Sequence, residues 1–167
     1  MSRVIIQHEL KTRTENFVRL CQENGIKVTQ QRIEIFKAIV QAEDHPDAEK
    51  VYQKLRKKLP TLSLDTVYRT LSLLNDLGVI TTLGSSRERT RFDGNLDHHH
   101  HFVCTCCGLT ADFYSDRLNS LKVPDSLAEI GKVEQTHVEV RGICKKCLKK
   151  VSKQINSDNS TIQRSKE

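Results

Sequence analysis

Between Thr14 and Gln22 apolar side chains recur at helical spacing (Phe17, Val18, Leu20, Cys21) and then stop at Gly25, which predicts a helix closed by a C-terminal glycine. Thr29 stands where a second helix needs its N-cap. The segment after it, QQRIEIFKAIVQA, puts Ile33, Phe36, Ile39 and Val40 on one face. A third helix begins in HPDAEKVYQKLRKKLP with Pro46 near its first turn and is expected to run to Pro60. Ser63 or Asp65 can cap a fourth, DTVYRTLSLLNDLG, with Val67, Leu71 and Leu74 inward and Gly78 as its stop.

After Gly78 the pattern changes from helical to alternating. VITTL and RTRFD read as two short strands around the turn GSSRER. Helices followed directly by a hairpin have the order of a winged helix-turn-helix; the pattern alone also admits a helical domain with a hairpin and no role with DNA. Gly94 to Asp97 reads as a hinge, closing a first domain over 1–93 whose N-terminal extension, 1–10, has no assigned role. Beyond it HHHHFVCTCCGLTADFY and HVEVRGIC are β-rich, and SLKVPDSLAEIGK holds a short helix and its flanks, giving a second domain over 98–151. Residues 152–167 have almost no apolar side chains and are expected to be disordered. The fold class is therefore α+β.

Composition supports the division. A chain of 167 residues with 5% aromatics and no Trp suits two small domains better than one large core. Its net charge of +6 fits a polyanionic partner, although surplus lysine also serves solubility. No stretch approaches the roughly 18 apolar residues of a membrane span, and the N-terminus lacks the apolar core of a signal peptide, so a cytoplasmic protein with no membrane partner is expected. In a reducing compartment six cysteines point to metal and not to disulfides.

The chemistry concentrates in the second domain. Cys104 and Cys107, with Cys144 and Cys147, form two Cys-x-x-Cys knuckles, and four thiolates satisfy a tetrahedral structural zinc. A redox dithiol pair is the weaker alternative. Cys106 has no partner at matching spacing, and Cys21 occupies an apolar helical position. In the run His98 to His101, strand alternation puts His99 and His101 on one face and His98 and His100 on the other. A His-x-His pair on one face can chelate a divalent ion, and Asp93, Asp97 and Asp112 are nearby donors; an incidental polar run is the alternative. A mixed His/Asp shell suits Fe(II), Mn(II) or Zn(II) better than the thiolate site does. On the fourth helix Ser63, Thr66, Tyr68, Arg69 and Ser72 leave the apolar face free and could reach DNA, yet Tyr68 could pack inward and Arg69 could pair with Asp65. The basic run Arg56 to Lys58 suits phosphate contacts at most.

With these residues in view, the chain resembles the ferric uptake regulator (Fur) family of bacterial repressors over about Lys11 to Val151. The matching segments are GIKVTQQRIEIF, HPDAEKVYQKL, LSLDTVYRTLSLLNDLGVI, HHHHFVCTCCG and GICKKC. The resemblance implies a homodimer that binds double-stranded operator DNA, with an N-terminal winged helix and a C-terminal α/β dimerisation domain. It implies structural Zn(II) on Cys104, Cys107, Cys144 and Cys147, and a regulatory Fe(II) or Mn(II) on His45, Asp93, His99, His101 and Asp112. It also implies DNA contacts by Lys27, in the minor groove, and by Tyr68 and Arg69.

Asp112 stands where iron-responsive members similar to this one usually carry Glu, and with Asp93 it looks like the peroxide-responsive (PerR) branch. In that branch Fe(II) reacts with hydrogen peroxide and a ligand histidine is oxidised, here His45 or His99. Such self-inactivation is not turnover, so no enzyme is expected. The alternative is an iron- or zinc-responsive uptake regulator. A further site that iron-responsive members build from the histidine run, a Glu and a later His meets Asn119 here, with His137 as the later His, which leaves His98 and His100 unassigned. Outside the family, a zinc hydrolase or deaminase would need a His-Glu-x-x-His or His-x-Glu pattern that the sequence lacks. A zinc-stabilised interaction module without DNA binding is the remaining competitor.

Overall fold

Thr29, Asp47 and Ser63 each turn a side-chain oxygen onto the backbone N–H three residues ahead, and so start three successive helices. The computed structural model describes residues 5–83, 90–133 and 136–150. Its N-terminal part holds α1 (Gln7–Glu23), α2 (Gln30–Val40), α3 (Ala48–Leu55) and α4 (Leu64–Asp76), then the antiparallel pair β1 (Thr81–Leu83) and β2 (Arg91–Asp93). Gly25 and Gly78, at φ of +65° and +66°, close α1 and α4 in the left-handed conformation that glycine adopts without strain. The expected turn GSSRER lies outside the described residues, as do 1–4 and the tail from 151 onward.

α2 packs against α1, α3 and α4. Being surrounded, it buries a wide arc, Ile35, Phe36, Ala38, Ile39 and Val40, and leaves the expected Ile33 half-buried at the edge. Phe17 of α1 stacks on Phe36 with centroids 4.7 Å apart. From α4, Val67, Leu71 and Leu74 enter the same core with no exposed surface, as the period requires. Leu71→Ala is therefore expected to lower the stability of this unit by about 2–5 kcal/mol, read as a reduced urea midpoint of the helical circular dichroism signal. A loss below about 0.5 kcal/mol would show that Leu71 is not a core residue.

Two boundaries depart from expectation. α1 starts at Gln7, inside the extension, because Leu10 is buried and Ile5 packs on the core. The apolar pattern hides this, since Arg13 and Thr14 occupy the inward positions between Leu10 and Phe17. α3 ends at Leu55 and not near Pro60: the basic run after it has nothing apolar to bury, and Lys58 bends back to Glu34 with Nζ 2.6 Å from Oε2.

The described residues fall into two units, divided between His98 and His99. The second has a three-stranded sheet in the order β4 (Thr110–Phe113), β3 (His100–Cys104), β5 (Glu139–Gly142), antiparallel to the first neighbour of β3 and parallel to the other. It also contains a short helix α5 (Asp116–Asn119), capped by Ser115, and a 3-10 turn at Asp125–Glu129. Residues 145–150 are helical, which the sequence pattern did not predict. Among the described residues, the buried apolar cluster of this unit consists of Cys104, Cys144 and Cys147 with Phe102 packed on it. A domain with so little hydrocarbon to bury needs another source of cohesion.

Candidate metal centres

The first centre grows out of the strand ends. The N–H of Cys104 donates to the carbonyl of Leu109 and that of Gly108 to the carbonyl of Cys104, both at 2.8 Å, which folds residues 104–109 into a knuckle. Gly108 sits at φ +67°, a left-handed position a side chain would strain. The second knuckle is tied to the first where the N–H of Thr105 meets the carbonyl of Gly142 at 2.8 Å. As a result the sulfurs of Cys104, Cys107, Cys144 and Cys147 all lie within 4.8 Å of one another. Cys107 Sγ and Cys144 Sγ are 3.9 Å apart, close to the roughly 3.8 Å edge of a tetrahedron with Zn–S bonds of about 2.3 Å.

The protonation of the cluster suits a cation. The backbone N–H of Cys144 donates to Cys104 Sγ at 3.3 Å and, outweighing burial, holds that thiol down to about 6. Hydrogen bonds to Cys107 and Cys144 push Cys147 up to about 12. Cysteine binds zinc as the thiolate, so an entering ion releases the thiol protons of the cluster. Cys106 is exposed beside the cluster and Cys21 is buried in the other unit, where desolvation raises its thiol, opposed by the Arg32 charge.

The histidines and aspartates form two groups. In the N-terminal unit His45 Nε2 lies 3.5 Å from Asp93 Oδ1, both side chains buried. His45 adopts φ +46°, a left-handed conformation costly for a residue with a side chain, and the Phe92 N–H to Pro46 carbonyl bond of 3.1 Å ties its turn to β2. Asp93 Oδ1 accepts the N–H of Asn95 at 2.7 Å. In the C-terminal unit the strand register sets His101 opposite Asp112. There His99 Nε2 and His101 Nε2 are 2.9 Å apart, and Asp112 Oδ1 lies 3.7 Å and 3.5 Å from them. Donors sharing one ion at about 2.1 Å stand about 3.0 Å apart in an octahedron and 3.4 Å in a tetrahedron, so the three atoms fit one cation.

One participant, His137, enters the sequence reading only through the resemblance. His137 Nε2 is 2.9 Å from His101 Nδ1, so the far nitrogen of that imidazole has a fixed partner and its near nitrogen is aimed at His99 and Asp112. Burial lowers the basicity of His137, and the charges of His101, His99 and His100 add to the effect. His100 is fully buried on the opposite face, against Phe113, and accepts from the N–H of Val138 at 3.4 Å. His98 and Asp97 are exposed and stand outside the cluster.

The candidate DNA face is open. Tyr68 is 52% exposed, which removes the core reading, whereas Arg69 Nε does pair with Asp65 Oδ2 at 2.9 Å. So exposed a pair holds arginine weakly and leaves it available for phosphate or base. Lys27 is exposed, and its carbonyl accepts from Arg32.

The sequence model of the ferric uptake regulator family matches residues 23–141. The chain belongs to the ferric uptake regulator family. Among relatives of known function, the peroxide-responsive repressor PerR of Staphylococcus epidermidis is 32% identical over 145 residues, 85% of this chain and 92% of that protein. PerR of Staphylococcus aureus is 32% identical over 148 residues, 87% and 95% of the two chains. Among solved structures, the Helicobacter pylori ferric uptake regulator superposes with a TM-score of 0.70 at 23% identity over 89% of this chain and 97% of that one. The iron-bound regulator of Francisella tularensis gives 0.62 at 29% identity, over 74% and 95%. As a Fur-family regulator the chain has the family's winged-helix and α/β fold, a four-cysteine zinc-type site and a His/Asp metal site. Among the described residues no helix is long and apolar enough to cross a membrane.

Proposed function

We propose that this chain is a cytoplasmic homodimeric repressor that binds operator DNA when a regulatory Fe(II) or Mn(II) is bound, and releases it when Fe(II) and peroxide oxidise one of its histidines. Cys104, Cys107, Cys144 and Cys147 hold structural zinc. The regulatory ion is held by His45 and Asp93 together with His99, His101 and Asp112. The observation that carries the reading is the convergence of His99, His101 and Asp112 at 2.9 to 3.7 Å, with a carboxylate of Asp length completing it.

When bound, Fe(II) supplies the electrons that activate peroxide. The chain's own residues position the imidazoles that are attacked, His45 or His99, and loss of a donor weakens the hold on the ion. An ion that binds better to one arrangement of the two reading heads than to another turns metal binding into DNA affinity. Tyr68 and Arg69, exposed on α4, and Lys27 contact the DNA. Support for the homodimer comes from the second unit, where Tyr114, Leu121, Ile130, Val140 and Leu148 are exposed and β5 lies at a sheet edge.

The test loads the full-length, zinc-replete protein with Fe(II) or Mn(II) and measures operator binding and peptide masses before and after dilute peroxide. The Tyr68→Ala, Arg69→Ala double variant serves as the control that does not bind. Expected is loss of binding in the Fe(II) sample only, with one added oxygen on the peptide holding His45 or His99. Binding that survives peroxide, with both peptides unmodified, would leave the second reading: a metal-responsive uptake regulator, which the likeness to the iron-bound Francisella protein favours.

A further inference from the structure

We propose that Arg13 and Gly94 are positioning residues for the regulatory ion, acting through Asp93. The inference rests on the reading that His45 and Asp93 bind that ion.

Arg13 lies three residues after buried Leu10 and four before buried Phe17, so it sits on the core-facing stripe of α1, where an apolar residue belongs. A charge there needs a partner. It has one in the carbonyl of Gly94, which accepts from Arg13 Nη2 at 2.5 Å. Gly94 is itself buried, although the sequence reads it as the start of a hinge. A Cβ on Gly94 would stand 2.7 Å from Val40 Cα and 3.0 Å from Ile39 O, backbone that cannot swing aside. The peptide after Asp93 is thereby pressed onto the end of α2 and held there by the arginine. Its other neighbours complete the arrangement: Asn95 N–H bonds the Asp93 carboxylate at 2.7 Å, and Phe92 N–H bonds the Pro46 carbonyl at 3.1 Å, next to left-handed His45. Asp93 and His45 are thus fixed relative to each other by contacts reaching α1 and α2, neither of which carries a ligand. Groups that orient a metal ligand typically change affinity by about 10–100-fold when removed.

Arg13→Met keeps the aliphatic stem and removes the donor; Arg13→Lys keeps a cationic donor. In full-length, zinc-replete protein, Mn(II) affinity is measured from the paramagnetic resonance of free Mn(II), beside operator affinity at saturating Mn(II) and the thermal midpoint without Mn(II). Arg13→Met is expected to weaken Mn(II) about tenfold while operator affinity at saturation and the midpoint stay near wild type. Arg13→Lys should recover most of that loss, and Gly94→Ala should weaken Mn(II) at least as much as Arg13→Met. Asp93→Asn separates the two levels. If it binds Mn(II) like wild type, the ligand reading fails and this inference with it. If it loses Mn(II) while Arg13→Met and Gly94→Ala bind normally, the positioning role alone is overturned. A lowered midpoint in Arg13→Met with no recovery by Arg13→Lys would also overturn it, marking Arg13 as structural only.

Discussion

Replacing Cys144 with serine is expected to remove zinc, unfold the C-terminal unit and abolish operator binding together. The size of the effect follows from what that unit has to bury. Among its described residues the apolar cluster is Cys104, Cys144 and Cys147 with Phe102 at its side, so the metal-binding thiols are themselves the core. Serine keeps the backbone N–H that Cys144 donates to Cys104 Sγ, so the change removes the Cys144 sulfur and with it one corner of the tetrahedron. Structural zinc contributes on the order of 10 kcal/mol in small zinc domains, more than a unit of this size can replace. The N-terminal unit has its own core of Phe17, Phe36, Ile39, Leu71 and Leu74, and its helical signal should persist. Without the dimer the two reading heads act singly, and operator affinity should fall by about 10²–10⁴-fold through lost effective concentration alone. Zinc release on denaturation, sedimentation and operator binding check this in one preparation. A Cys144→Ser protein that stayed dimeric and metal-responsive would sink the division between a structural zinc and a separate sensor.

The zinc knuckles were the most legible feature because covalent spacing nearly determines them: two thiols three residues apart, beside a left-handed Gly108, converge whatever surrounds them. The caps Thr29 and Ser63 were legible for the same reason, each acting within four residues. The alternation that pairs His99 with His101 also needs only local strand geometry. What the sequence hid depends on partners distant along the chain. His137 lies 36 residues beyond His101 and meets it only because β5 runs parallel beside β3. Arg13 lies outside the helix that the apolar pattern predicts from Thr14, and its role shows only where Gly94, 81 residues on, accepts from it. Gly94 reads as a flexible link because glycine signals both freedom and close approach, and the backbone of Val40 decides which applies.

Replacing Asp112 with alanine should have the opposite profile: zinc, fold and dimer kept, metal response lost. Asp112 lies on β4 opposite His101, whereas the cysteines begin at Cys104, at the far end of β3. Its carboxylate is the one acidic member of the trio, within 3.7 Å of both histidines. Alanine leaves His99 and His101 without the carboxylate that faces them, a softer and incomplete set for Fe(II) or Mn(II). Since orienting groups alone change affinity by about 10–100-fold, loss of a charged donor should weaken Mn(II) by on the order of 100-fold or more. At a Mn(II) concentration just sufficient to saturate the wild type, the operator affinity of the variant should then stay close to that of the metal-free wild type. Asp112→Glu restores the charge on a longer arm and should recover part of the Mn(II) affinity, which distinguishes a lost ligand from a damaged strand. If Asp112→Ala bound Mn(II) and operator as the wild type does, the ion would have to be held without β4, and the regulatory centre assigned to His45, Asp93, His99, His101 and Asp112 would be wrong in its composition.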